Sequence, residues 1–158
     1  MKVFGNDADT QKIETLKNLP VFRELTRKEI LEVDALLHER TYEKDEIIFE
    51  EGEAGHGIFI IVSGKVRVKS NRKLLETAAP EFGPGDLLGE LSLFDEAART
   101  ATAVAVERTI AVALFQAEFS SLLTRNESIG VKVLMEISKT ISRRLRRLLL
   151  QERSLPSI

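Results

Sequence analysis

The residues best suited to chemistry lie between Phe82 and Ala103, where Gly89-Glu90-Leu91-Ser92-Leu93 is followed by Arg99-Thr100-Ala101. The first group has the length of one helical turn. Free N–H groups at the start of such a turn point at an anion, and a glycine there lets the anion come close. Arg99, nine residues after Glu90, carries a planar guanidinium that can grip a phosphate through two parallel hydrogen bonds. A carboxylate and an arginine on either side of a short helix can divide a nucleotide between them, the acid accepting from a sugar hydroxyl and the arginine neutralising the phosphate. The competing reading of Glu90 and Arg99 is an ordinary surface ion pair between helix and loop, a common arrangement that contributes little. Thr100 can donate its hydroxyl to the phosphate or to a guanine, or can serve strand propensity alone.

Three zones must position these residues. In the first, Thr26 and Glu29 make a capping box ahead of Ile30, Val33, Leu36 and Leu37, which predicts a helix from about Thr26 to Leu37. Ile13 and Leu16 predict a shorter helix before it, ending at Leu19-Pro20, because proline disfavours helical geometry in its predecessor. From Arg40 to Phe115 the pattern changes to short β-branched and apolar runs broken by glycine, as in an antiparallel sandwich or barrel. The runs are 46–49, 58–62, 65–69, 101–106 and 109–114, and Ser63-Gly64 reads as a tight hairpin turn between two of them. The third zone begins near Gln116. Its residues Ile129, Val133, Leu134, Ile137, Ile141, Leu145 and Leu148 recur every three or four positions and predict one long amphipathic helix whose last turns need a partner surface.

Composition narrows the function further. The chain has 158 residues, 43% hydrophobic and 30% charged, which fits one folded domain spanning 1–158. Its formal charge of −2 gives no general attraction for nucleic acid, so only the basic run Lys139, Arg143, Arg144, Arg146 and Arg147 is a candidate patch. That run also suits the negative pole of a helix macrodipole. The absence of cysteine excludes disulfides and thiolate metal sites and fits a reducing cytoplasm. No stretch approaches the ~20 apolar residues of a membrane span. His38 and His56 have no further ligands beside them and read as solvated surface histidines, so no metal is expected. The lack of a His-x-His pair argues against metal-binding cupins, and no Gly-x-Ser-x-Gly elbow or phosphate-binding loop of the NTPase type is present, so the chain reads as no enzyme.

The stretch around Glu90 and Arg99 resembles the phosphate-binding cassette of the cyclic-nucleotide-binding domain family, with its Gly-Glu-x-x-Leu and Arg-Thr-Ala elements. The likeness extends to Ile48-Phe49-Glu50-Glu51-Gly52-Glu53, to Ile58 through Val66 and to Leu19-Pro20-Val21-Phe22, covering about 16–148. It implies a mainly β fold: an antiparallel, jelly-roll-like β-roll of about eight strands over 40–115, with N-terminal helices over 10–37 and C-terminal helices over 116–150. It also implies that Glu90 receives the ribose 2′-hydroxyl and Arg99 the cyclic phosphate. Gly89 and the backbone near Leu91, Ser92 and Ala101, with Thr100 beside them, would complete the site. Counting along the long helix as in related domains places the base contact near 140–144, with Thr140, Arg143 and Arg144 as lid candidates. Two positions depart from the family's pattern: Ala98 stands where many members have proline before the arginine, and Glu53 where aspartate is common.

The expected ligand is cAMP rather than cGMP, with no cofactor. Threonine after the phosphate arginine occurs in members of both preferences, and the lid offers no guanine-specific acid. The expected partners are an unidentified effector protein and a second copy joined through Ile137, Ile141, Leu145 and Leu148. Catabolite-activator regulators carry a helix-turn-helix after the long helix, whereas Ile158 is ten residues past Leu148. The chain therefore reads as a sensor without a DNA reader, and Met1 with the tail Ser154–Ile158 reads as a complete chain. The alternatives are a non-sensing dimerisation or scaffold module and a fragment of a larger cAMP-responsive transcription regulator.

Overall fold

A computed structural model describes residues 5–70, 80–95 and 97–151. The readings placed on Met1 and on Ser154–Ile158 lie outside them. Helix α1 (Gly5–Lys17) leads to a 3₁₀ turn (Pro20–Phe22), with Leu19 held extended before the proline. Helix α2 (Arg27–Asp34) follows. The capping box forms as expected: Glu29 N–H donates to Thr26 Oγ1 at 3.2 Å and Thr26 N–H to Glu29 Oε1 at 2.9 Å. The helix stops three residues short of Leu37, because the backbone tightens through Leu36 and Leu37 into the first strand.

Eight strands are described: β1 (His38–Tyr42), β2 (Ile47–Phe49), β3 (Gly57–Ser63), β4 (Val66–Lys69), β5 (Glu81–Phe82), β6 (Leu87–Leu88), β7 (Thr102–Ala105) and β8 (Thr109–Phe115). They form two four-stranded antiparallel sheets, ordered β1-β8-β3-β6 and β2-β7-β4-β5. The expected β-roll is therefore present. β1, β5 and β6 have no counterpart among the runs read from the sequence: β1 is the polar edge segment His-Glu-Arg-Thr-Tyr, and β5 and β6 have two residues each.

The hairpin expected at Ser63-Gly64 does not form. β3 and β4 belong to different sheets, and Gly64 turns the corner between them at φ +95°. A Cβ at Gly64 would lie 2.5 Å from Arg108 O and 2.6 Å from Thr109 Cα, so this corner packs backbone to backbone on the β7–β8 turn. Lys65 N–H then donates to Thr109 Oγ1 at 3.2 Å.

The inner strands β3 and β8 of the β1-β8-β3-β6 sheet are largely buried on both faces. Ile58, Ile60, Val112 and Leu114 pack outward against helical residues including Phe22, Ile30, Phe119, Ile129, Val133 and Ile137. Ile61 and Leu88 pack inward with Phe49, Val66 and Ala103 of the facing sheet. Covering on both sides explains why β3 reads as an almost unbroken apolar run.

Two helices close the described chain, α3 (Gln116–Arg125) and α4 (Glu127–Gln151). His38 is not the free surface histidine expected. Its Nε2 lies 2.8 Å from Glu118 Oε1, and its ring packs on Phe115 with centroids 5.0 Å apart, fastening the start of α3 to β1. The stripe read along α4 divides in two: Ile129, Val133 and Ile137 are buried in the chain's own core with Leu134 and Ile141 packed partly against it, while Leu145 and Leu148 are exposed, as are Val131, Met135 and Leu149 outside the stripe. Ile137 therefore has no free surface to offer a second copy.

Glu29 serves the capping box and also meets Lys132 of α4, with Nζ 2.8 Å from Oε1. The Lys132 hydrogen bond, followed by that from the Thr26 backbone, lowers the Glu29 pKa below the ordinary glutamate range. A carboxyl depressed in this way contributes stability that is present above its unfolded pKa and is lost as pH falls through its folded value. Glu29→Gln keeps an acceptor for the cap and removes only the charge. It should cost about 0.5–1 kcal/mol in urea melts near neutral pH, with the gap to wild type closing as the medium becomes acid enough to protonate glutamates.

Candidate functional site

One pocket gathers most of the residues singled out by chemistry. It is lined by Phe49, Val68, Pro80, Phe82 and Leu88, by Gly89 to Ser92, by Arg99 to Ala101, and by Arg144 of α4. The chain enters this region through the turn Gly83-Pro84-Gly85-Asp86, where Gly83 N–H donates to Asp86 Oδ2 at 2.8 Å and Gly85 has φ +90°. This turn feeds β6, which pairs with β3 for two residues. The chain then breaks at Gly89, with φ +79°, into the 3₁₀ turn Glu90–Ser92. The short helix expected at this place is therefore present. Ser92 N–H, expected to face an anion, instead closes the turn onto Gly89 O at 3.2 Å.

Arg99 is 7% exposed, so its guanidinium needs fixed partners. Nη2 donates to Gly57 O at 2.9 Å and Nη1 to Gly89 O at 3.1 Å. The guanidinium carbon lies 4.4 Å from the Phe49 ring centroid and 5.8 Å from that of Phe59, within cation–π range. Burial pushes the guanidinium below its ordinary pKa, while the charges of Glu53 and Glu90 act the other way. The plane of the group is thus fixed by two carbonyls and two rings, and further N–H donors remain for a ligand.

The backbone beneath Arg99 is equally constrained. Arg99 N–H donates to Glu53 O at 2.8 Å, Gly52 N–H donates to Arg99 O at 2.9 Å, and Ala98 bridges to Ala54. These bonds hold the loop at the position where many family members have proline. Close packing also sets the glycines: a Cβ on Gly89 would collide with Arg99 Nη1, and one on Gly55 with Ser92.

Glu90 and Arg144 form an ion pair, Oε1 to Nη1 at 2.7 Å, with side chains 12% and 23% exposed. Arg144 also donates to Leu87 O and lies over the Phe82 ring, 5.0 Å from its centroid. Of the three lid candidates on α4, only Arg144 lines the pocket. Thr140, one turn earlier, donates to Glu136 O at 3.1 Å, and Arg143 is exposed with Nη2 3.3 Å from Thr140 Oγ1. The 3.6-residue period turns Arg143 away from the face that Arg144 presents.

Leu91 and Thr100 are at the exposed rim, and Ala101 is buried in the wall. Phe49, Phe82 and the Gly57 carbonyl complete the site without having been singled out by sequence. Phe49 lies in a run read correctly as a strand, but its role depends on β2 pairing with β7, which sets its ring against Arg99. Among the described residues no group of acidic and histidine side chains could hold a metal ion, and no helix is long and apolar enough to cross a membrane.

The geometry agrees with comparisons to known proteins. The family model for the cyclic nucleotide-binding domain matches residues 39–126. The cyclic AMP receptor protein of Thermus thermophilus is 36% identical over 111 residues, 70% of this chain and 51% of the relative, so the chain spans about half that protein's length. The crystal structure of the catabolite activator protein from the same organism superposes with a TM-score of 0.70 at 33% identity, covering 84% of this chain and 61% of that one. A cyclic nucleotide-binding domain from Methylobacillus flagellatus superposes with a TM-score of 0.81, covering 94% and 87%; at 20% identity it speaks for the fold alone. With a family match over residues 39–126, together with the β-roll and the cassette turn, this chain belongs to the cyclic nucleotide-binding domain family.

Proposed function

We propose that the chain is a cyclic-nucleotide sensor with no catalytic role, taking cAMP in preference to cGMP between Glu90 and Arg99 and relaying the event through α4 to a partner protein. The observation that carries this reading is the buried Arg99 guanidinium, held in one plane by Gly57 O and Gly89 O at the wall of the pocket. A cyclic phosphate supplies a negative charge for the guanidinium's remaining donors, and Glu90 accepts the ribose hydroxyl. The amides of Leu91 and Ala101 add donors around the phosphate, with Thr100 at the rim. The name of the Thermus relative supports cAMP.

The relay follows from Arg144. It ties α4 to the carboxylate assigned to the ribose, so filling the pocket alters the contact that seats the helix. A ligand that favours one seating over another shifts α4 by that difference in affinity. The exposed side chains Val131, Met135, Leu145, Leu148 and Leu149 favour a second copy of this chain as the partner met by α4.

Calorimetric titration tests the site. Wild type should bind cAMP, and Arg99→Ala should weaken binding by about 2–5 kcal/mol, because the phosphate is then desolvated without its charge partner. Equal affinities for wild type and variant would sink the assignment. Base choice rests on single hydrogen bonds of about 1–3 kcal/mol, so cGMP should also bind, less tightly. A tenfold preference for cGMP that disappears in Thr100→Ala would reverse the choice of ligand. Sedimentation at high micromolar concentration should show a dimer that Leu145→Glu dissociates; a monomer with and without nucleotide would rule out pairing through α4.

A further inference from the structure

Helix α4 carries one charged side chain that the pocket does not use and that folding has taken out of water. Glu136 is 4% exposed, on the helix between the core residues Val133 and Ile137. Its oxygens meet two cations: Oε1 accepts one long hydrogen bond from Lys139 Nζ, at 3.3 Å, and Oε2 lies 3.7 Å from Arg23 Nε. Arg23 directs its Nε–H to Pro20 O, at 3.1 Å. Both cations stand about half in water, their side chains 53% and 54% exposed.

The arrangement is lopsided, with a desolvated anion facing hydrated cations. Long contacts to hydrated partners recover little of what a buried carboxylate loses on leaving water. Removing one member of a buried pair is usually harmful because it strands the other, but here neither cation would be stranded. The other polar ties of α4 are different in kind. Lys132–Glu29 at 2.8 Å and Arg144–Glu90 at 2.7 Å are short and hold the helix down. If α4 lifted from the Pro20–Phe22 turn, Glu136 would regain water, so its charge favours the lifted helix.

We propose that Glu136 is a counterweight built into α4: its buried carboxylate opposes seating of the helix beside the Pro20–Phe22 turn and sets how much of a ligand's binding free energy goes into closure. The link to ligand rests on the sensor reading above, but the first consequence needs no ligand. Hydrogen exchange in the nucleotide-free protein should show the α4 amides of 137–147 protected about tenfold better in Glu136→Gln, which keeps the shape, and in Glu136→Leu, which also fills the site. Both variants should then bind cAMP several-fold more tightly, because less of the binding free energy is diverted to closure. Arg23→Gln should leave the protection unchanged or slightly reduced, since it removes a hydrated cation only.

Unchanged or faster exchange in both Glu136 variants would overturn the inference and make the residue an anchor through Arg23 and Lys139. Improved protection without tighter cAMP binding, in a wild type that does bind, would overturn the coupling to ligand. A wild type that binds neither nucleotide would overturn the sensor reading alone, leaving the exchange result to decide the role of Glu136.

Discussion

A guanidinium taken out of water must be matched on every side, and that requirement at Arg99 organises much of the roll. Two carbonyls, Gly57 O and Gly89 O, accept from its ends, the Phe49 ring covers its face, and Glu53 and Glu90 supply the field that favours its charge. These groups come from different strands and turns in both sheets, so the roll has to close for Arg99 to be buried at an acceptable cost. Close packing fixes the glycines that carry those two carbonyls. Gly89 has no room for a Cβ beside Arg99, and Gly57 has its own α-carbon pressed on the β8 backbone, where a Cβ would lie 2.6 Å from Leu114 O.

What the pocket does to the rest of the molecule depends on how the cassette turn is shared. Ser92 faces inward against Gly55, while the next residue, Leu93, is buried in the helical core with Phe119, Ile129 and Val133. One turn of chain thus touches both the polar pocket and the apolar contact between α3, α4 and the roll. Glu90 makes a second, polar connection to α4 through Arg144. The turn is thus joined to the helical core through Leu93 and to α4 through Glu90.

The charges on α4 divide by helical face. Arg144 is drawn into the pocket, whereas Lys139, Arg143, Arg146 and Arg147 are exposed; the last turn of the helix holds no basic residue, so the macrodipole does not account for the run expected to suit its negative pole. Glu136 is the buried exception, lying on the inward face among residues that suit that position by size but not by charge. α4 is accordingly held by a few short polar ties and an apolar stripe that ends near Ile141, beyond which its leucines are exposed.

Local chemistry was legible in the sequence. The capping box at Thr26, the strand runs around β2, β3, β4, β7 and β8, the glycine-led turn at Glu90 and the adjacency of Glu90 and Arg99 in one cassette all follow from spacing over fewer than a dozen residues. Periodicity, turn preference and proline geometry act at that range and need no tertiary partner. The corner at Gly64 looked like a hairpin because a glycine turn between two apolar runs has the same local form whether the chain returns to its own sheet or crosses to the other. His38, Phe49, Phe82 and the carbonyl of Gly57 gained their roles only from neighbours distant in sequence. The choice of Arg144 over Thr140 and Arg143, and the burial of Glu136, were likewise set by where α4 lands on the roll. That landing is a sum of long-range packing and desolvation, in which a rotation of one residue moves a side chain by 100°. Sequence spacing therefore determined which groups were available for a nucleotide, and only the tertiary structure decided which of them meet.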